Sequence, residues 1–269
     1  MTDAAQTLRW SVLDGLAVAR RNLSHVRQVP EKLVDVTVQP LLFVLLFAYV
    51  FGGSVAVPGG DYRSWVVTGI FVQTLSFGMM GAALGMAGDL QNGLMDRFRV
   101  LPMSRGAVLV GRTLADLATT VVALAVMTAA GLVVGWRLHG NAGEVAAAYG
   151  LLLAFSFAMS WVGTLLGLVA RSVDSVQGIV FVAIFPLTFV ANTFVDPDRM
   201  PAVLRAVAQY NPISALTGAV RSLFGNATAS AAGQPWPLSH PVPAALLWCV
   251  AIVAVAASLA VRRYAAQGR

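Results

Sequence analysis

The chain has 269 residues, 58% of them apolar and 11% charged, with a mean hydropathy of +0.75. A soluble domain carries about 25% charged residues, so this composition excludes a large soluble domain and points to a chain built for lipid. The net charge of +6 comes from 17 Arg and a single Lys, Lys32, against 12 acidic residues; on such a chain the excess speaks to membrane orientation and anionic headgroups before nucleic acid.

Residues 1–32 predict a helix lying along the membrane surface. Leu8, Val12, Leu16, Ala19, Leu23 and Val26 recur at steps of three and four, while Arg9, Arg20, Arg21 and Arg27 leave that stripe, as an interfacial helix requires. Trp10 suits headgroup depth, and Asp14 with the early Arg residues argues against a signal peptide. Pro30 breaks this helix and Glu31-Lys32 opens the next element. The first span is predicted at about 33–53, with Asp35 and Gln39 in its first turns and a bend at Pro40. A Gly-rich loop follows, and the second span covers about 65–88, with Gln73, Thr74 and Ser76 at mid-depth, where polar groups need internal partners or a cavity.

Residues 89–106 interrupt the apolar runs with two Asp, three Arg and a Pro. Leu94, Phe98 and Leu101 fall at helical spacing, with Asp96, Arg97 and Arg99 on other faces, so a short amphipathic helix at the membrane surface fits, turned back at Leu101-Pro102. Two readings of it stand: a handle by which another protein moves this one, or a basic loop that only fixes orientation.

The third span, about 107–136, is longer than a bilayer needs, and Arg112 and Asp116, four apart on one face, are expected to pair at its polar boundary. The fourth span is predicted at about 145–169 and the fifth at about 175–195, interrupted by Pro186. In residues 196–243 a short helix is predicted from Ala202 to Gln209, and Asn211-Pro212 supplies an N-cap and a first-turn proline for another reaching about Phe224. Both are too short to cross and would enter the outer leaflet only partway, which requires protein around their backbone. Gly225 to Pro243 reads as a loop, and the sixth span as about 244–261, ending at Arg262-Arg263. With six spans both termini lie on one side, and 13 of the 18 basic residues fall there, so the positive-inside rule puts both termini and the 89–106 loop in the cytoplasm. Gly81-xxx-Gly85, Gly131-xxx-Gly135 and Gly163-xxx-Gly167 are close-packing motifs, serving contacts within the subunit or between subunits.

Energy coupling within the chain has no visible source. There is no phosphate-binding loop, since Lys32 is followed by Leu33, so ATP is not bound here by that device. Asp35, Asp89, Asp116 and Asp174 all map near the polar boundary, which disfavours a proton-driven carrier. His25, His139 and His240 form no cluster, and the lone Cys249 has neither a disulfide nor a metal partner in the sequence, so an intramembrane enzyme is disfavoured too.

Three stretches resemble a known family. Asn92 to Arg105, continuing into Gly111-Arg-Thr-Leu-Ala-Asp116, is similar to the cytoplasmic signature of ABC-2 type transporter permeases of the daunorubicin/doxorubicin-resistance exporter group. Phe194-Val-Asp-Pro and Met200-Pro201, then Asn211-Pro-Ile-Ser214 and Arg221-Ser-Leu-Phe-Gly225, resemble the segment before that family's last helix, and the basic N-terminus its elbow helix. The resemblance implies an all-α polytopic fold of six spans with an elbow helix (1–32), a coupling loop (89–106) and an external re-entrant segment (196–243) within one transmembrane domain, 33–269. It implies an export permease in the bacterial plasma membrane, not itself an enzyme, with ATP and Mg held by a separate ABC ATPase, two copies of which would dock beneath two permease copies or a permease and its homologue. Carried over residue by residue, Asp96, Arg97, Phe98, Arg99 and Leu101, with Arg20 and Arg21 of the elbow, would contact the ATPase; headgroup binding is the alternative for the arginines.

The same family plan puts the cargo path between spans one, two and five of the paired subunits, which here supply Gln39, Phe43, Gln73, Thr74, Phe77, Asn192 and Phe194. Aromatic, amide and Met side chains (Met79 and Met80 among them) suit an amphipathic drug or lipid-like cargo, although core packing is the ordinary role of the Phe and Met positions. Asn192 and Gln73 are the stronger candidates, because unpaired amides in lipid are costly. A lipid-linked glycan or cell-wall lipid exporter shares this plan, and a regulatory membrane subunit without transport of its own is the alternative outside it.

Overall fold

The computed structural model describes residues 30–50, 62–93, 105–170, 172–195, 197, 200–226 and 234–266. Regular structure in them is helical throughout: α1 (Pro30–Val50), α2 (Tyr62–Phe77), α3 (Met79–Gln91), α4 (Arg105–Val134), α5 (Ala142–Val169), α6 (Val173–Val190), α7 (Ala202–Tyr210), α8 (Pro212–Leu223), α9 (Trp236–Ser239) and α10 (Pro241–Ala266). Among the described residues, five helices are long and apolar enough to cross a membrane: α2 with α3 as one 30-residue unit, Leu109–Val134 of α4, α5, α6 and α10; α1 adds a shorter apolar stretch, Val38–Tyr49. The predicted elbow helix and the heart of the 89–106 loop lie outside the described residues.

Local chemistry accounts for several helix ends. α5 opens with a reciprocal cap in which Asn141 Oδ1 accepts from the Glu144 N–H at 2.9 Å and the Asn141 N–H donates to Glu144 Oε2 at 2.8 Å. α6 opens with the same device built from Ser172 and Ser175. α8 starts as the sequence predicts, with Asn211 Oδ1 accepting from the Ile213 N–H and Pro212 in the first turn. α4 ends at Val134 rather than Trp136, because Gly135 takes φ +105° and lets the Trp136 N–H bond the Gly131 carbonyl at 2.9 Å.

Three further boundaries differ from expectation. α6 runs through Pro186 as one helix and stops at Val190, five residues short of the predicted Val195. Proline removes one intrahelical bond, a loss that membrane helices tolerate. α1 continues through Pro40, inside the predicted span. α10 extends from Pro241 to Ala266, so Arg262 and Arg263 are helical and Tyr264 beyond them is buried. The loop assigned to 225–243 holds a single helical turn, α9.

α5 is the hub. It packs against α3 and α10 most closely, and also against α4, α8, α2 and α6. Its pairing with α3 is a backbone approach: Gly163 and Gly167 lie against the Met79 and Ala83 carbonyls, so this glycine pair serves packing inside the subunit. The main core runs from Trp65, Phe71 and Met127 through Phe155 to Leu216 and Phe224. A second cluster, Met86, Leu109, Trp161, Leu168, Ala260 and Tyr264, closes the opposite end of the bundle. α8 is buried along almost its whole length, whereas α7 exposes Val203, Leu204, Val207 and Tyr210. By contrast α1 and α6 are rim helices: α6 buries only Val176, Val180, Ile184 and Thr188, one residue per turn.

Candidate functional site

An unbroken row of six phenylalanines runs along the exposed side of α6, across the turn that follows it and onto α1, where the rings are partly buried against the core. Phe181, Phe185 and Phe189 are four residues apart, so their rings share one face of α6. Neighbouring ring centroids are 4.8 and 4.2 Å apart. The row passes from Phe189 to Phe194 at 5.7 Å, crosses to Phe47 of α1 at 4.6 Å, and continues to Phe43 at 5.9 Å. Each such pair contributes about 0.5–1.5 kcal/mol beyond its area burial, which is enough to hold the rings in register. Phe181, Phe185 and Phe189 remain largely exposed. Because most neighbouring rings are stacked, the row shows mainly ring edges outward, a polarizable apolar surface able to contact aromatic or acyl-chain ligands.

Phe194 is the bridge, and it stands on a turn rather than on a helix. Residues 191–195 leave helical geometry, so their backbone groups need partners, and α8 supplies them. Asn211 Nδ2 donates to the Leu187 carbonyl in the last turn of α6 at 2.7 Å. The Asn192 N–H donates to Ser214 Oγ at 3.0 Å. Arg221 Nη1 donates to the Asn192 carbonyl at 2.9 Å and Nη2 to the Thr193 carbonyl at 3.0 Å. The same guanidinium reaches the Trp65 carbonyl through Nε and Nη2, at 3.2 and 3.1 Å, with its central carbon 3.6 Å from the Trp65 ring centroid. Gly69 leaves the room in which the Thr193 carbonyl lies.

Arg221 is 3% exposed. By loop charge alone it counts with the external arginines; the structure buries it instead. A signal for this exists in the sequence. Ser214, Thr217 and Arg221 recur at three and four on a helix already recognisable from its cap, so the arginine shares the face of two small polar residues.

The sequence-selected path residues separate into two groups. Phe43 and Phe194 belong to the aromatic row, and Gln39 is exposed on α1. Thr74 and Phe77 are half-buried on α2, and Asn192 is half-buried beside Phe194. Gln73 is different: it is 4% exposed and faces the subunit interior. The side-chain oxygens of Gln73 and Asn192 accept no hydrogen bond among the described residues. Met79 is buried and belongs to the core. Phe47, Phe181, Phe185 and Phe189 complete the row and were not singled out by sequence, although the spacing of the last three is legible there.

At the other end of the bundle, Arg112 does not pair with Asp116 one turn along its own helix. Its Nη1 donates to Asp89 Oδ2 of α3. The guanidinium fills the space where a Gly85 side chain would start, so the glycine admits the arginine across the helix pair. Asp96, Arg97, Phe98, Arg99 and Leu101, and Arg20 and Arg21, lie outside the described residues.

An all-helical bundle with several membrane-length apolar helices and an aromatic rim defines a polytopic α-helical membrane protein. Residues 15–224 match the family model of the ABC-2 type transporter, and the chain belongs to that family. It is 34% identical over 204 residues to the daunorubicin resistance ABC transporter permease protein DrrB1 of Streptomyces coeruleorubidus, covering 76% of this chain and 72% of the relative. It is 23% identical over 232 residues to the doxorubicin resistance ABC transporter permease protein DrrB of Mycobacterium tuberculosis, covering 83% and 80%. The chain is thus a permease, the membrane component of an ABC transporter whose ATPase is a separate chain.

Proposed function

We propose that this permease forms the path by which an ATP-driven exporter moves an amphipathic, largely aromatic drug or lipid-like molecule out of a bacterial cell. The observation that carries this reading is the six-phenylalanine row on the rim helices, continuous from Phe43 to Phe181. A row of stacked rings offers dispersion and edge-to-face contact to a planar cargo without fixing its orientation by directional bonds, which suits chemically varied substrates. Gln39, exposed one turn before Phe43 on α1, and Asn192, half-buried two residues before Phe194, add polar groups beside it, while Thr74 and Phe77 are half-buried on α2. The names of the two permease relatives, resistance proteins for daunorubicin and doxorubicin, favour this cargo class over a lipid-linked glycan.

In this reading α1 is the first of six spans, two permease copies face each other across their rims, and two ABC ATPase copies dock from the cytoplasm. ATP and Mg stay on the ATPase. Asp96, Arg97, Phe98, Arg99 and Leu101 form the coupling contact, with Arg20 and Arg21 of the elbow beside it: a protruding Phe fills a cleft and the flanking charges match its rim.

The test is reconstitution in liposomes with the ATPase encoded by a neighbouring gene, using doxorubicin as the probe. ATP-dependent accumulation is expected for the complex and none for the permease alone. Phe98→Ala or Arg97→Glu is expected to lower transport at least about tenfold, as loss of a central contact residue does, while the chain still inserts. Transport by the permease without any ATPase, or wild-type rates in the Phe98 variant, overturns the coupling scheme.

Orientation is tested separately in intact cells with a membrane-impermeant thiol reagent. Gly60→Cys and Ser230→Cys are expected to label from outside and Met95→Cys only after permeabilisation. The reverse pattern inverts the topology.

A further inference from the structure

Arg221 makes hydrogen bonds to three carbonyls from two separate parts of the chain, Trp65 at the start of α2 and Asn192 and Thr193 beyond α6. Burying a guanidinium is costly, and an apolar side chain of similar volume commonly packs at least as well. Its placement is therefore informative about what it holds. The planar fork delivers five N–H groups in fixed directions, and its face stacks on Trp65 at 3.6 Å. Lysine offers a single charged point and reproduces neither feature.

The segment it holds is the one that carries Phe194, the ring joining the α6 half of the aromatic row to the α1 half. The carbonyl immediately before Phe194 is a bond acceptor of Arg221, and the N–H of Asn192 is fixed from the same helix by Ser214. We propose that Arg221 is a positioning residue for cargo recognition: from inside the bundle it fixes the turn on which Asn192 and Phe194 stand, and so keeps the aromatic row continuous from one rim helix to the other. The role is indirect, since the guanidinium is buried behind the turn. This inference rests on the reading of the phenylalanine row as the cargo face.

The test uses the complete permease–ATPase complex in liposomes with doxorubicin as probe. Arg221→Lys is expected to raise the KM for doxorubicin about five- to twentyfold, the scale of losing one or two charge-assisted hydrogen bonds, with basal ATP hydrolysis unchanged. Ser214→Ala, a milder change on the same turn, is expected to raise KM about two- to fivefold. A purely structural role lowers the yield of assembled complex and leaves the KM of the assembled fraction alone. A wild-type KM in assembled Arg221→Lys overturns the proposal. If that variant does not assemble, Ser214→Ala decides, and a wild-type KM there overturns it equally. Failure of the wild-type complex to move doxorubicin at all rejects the cargo reading instead, and is recognised before any variant is measured.

Discussion

Gly167→Leu is expected to prevent the chain from assembling, the largest effect of any single change considered. A side chain there is aimed at backbone, not at a flexible neighbour. Its first carbon would press on the Ala83 carbonyl, approach Met86 Cβ to 2.7 Å and come within 3.2 Å of the Ala87 nitrogen. Gly163, one turn earlier, is equally closed, with Ala82 Cβ at 2.9 Å. α3 and α5 therefore cannot part locally; they must separate along their length. Overpacking in a compliant core costs about 1–3 kcal/mol, and this site has no compliant partner. In lipid the apolar drive is absent between helices, so shape fit is what holds the pair. Changes of even 1–2 kcal/mol alter abundance about severalfold, so monodisperse protein recovered from membranes is expected to fall at least tenfold. Gly81→Leu serves as the control: nothing lies within 4 Å of the first carbon of a side chain placed there, and near-normal yield is expected. Equal yields for the two variants would refute the backbone contact.

Reversing Arg112 to Asp is expected to lose most transport, and reversing Asp89 to Arg in the same chain to restore a large part of it. Asp89 lies in the last turn of α3, where the helix dipole disfavours an acid. Arg112 stands two turns into α4, beyond the reach of that helix's own dipole, and its charge offsets the unfavourable position of Asp89. With side-chain exposures of 25% and 14%, the pair is partly screened, so a coupling energy of about 1–3 kcal/mol in a double-mutant cycle is the expected scale. The bond also ties the two helices flanking the 89–106 loop, which is where force from an ATPase would enter under the proposed scheme. Transport and thermal stability of the four chains complete the cycle; strictly additive losses would show that the contact carries no energy.

Features set by neighbouring residues were legible in the sequence. Asn211-Pro212 announces α8 because cap and first-turn proline act within three residues, and the observed start agrees. The 163/167 glycine pair could be recognised as close packing, but not its partner helix. Pro186 misled, because a proline costs a helix one bond without necessarily ending it, and its local window does not tell the two cases apart. Arg112 misled for a related reason: spacing along one helix offers Asp116, and only the register of α3 against α4 brings Asp89 nearer. The end of α6 at Val190 depends on Arg221, 31 residues downstream, whose bonds satisfy the carbonyls that helical continuation would otherwise have used. The regular half of the phenylalanine row is written in four-residue steps, whereas its crossing to α1 needs the folded turn.

The unequal burial of the helices separates two kinds of evolutionary freedom. α5 touches nearly every neighbour, so substitutions along it are judged on assembly. α6 lends the interior one narrow seam and leaves its other sides outside the bundle. Changes on those sides leave the architecture standing, so if the rim is the cargo face, as proposed, a lineage could retune its selectivity by altering a few rings there, with no compensating repair at the hub.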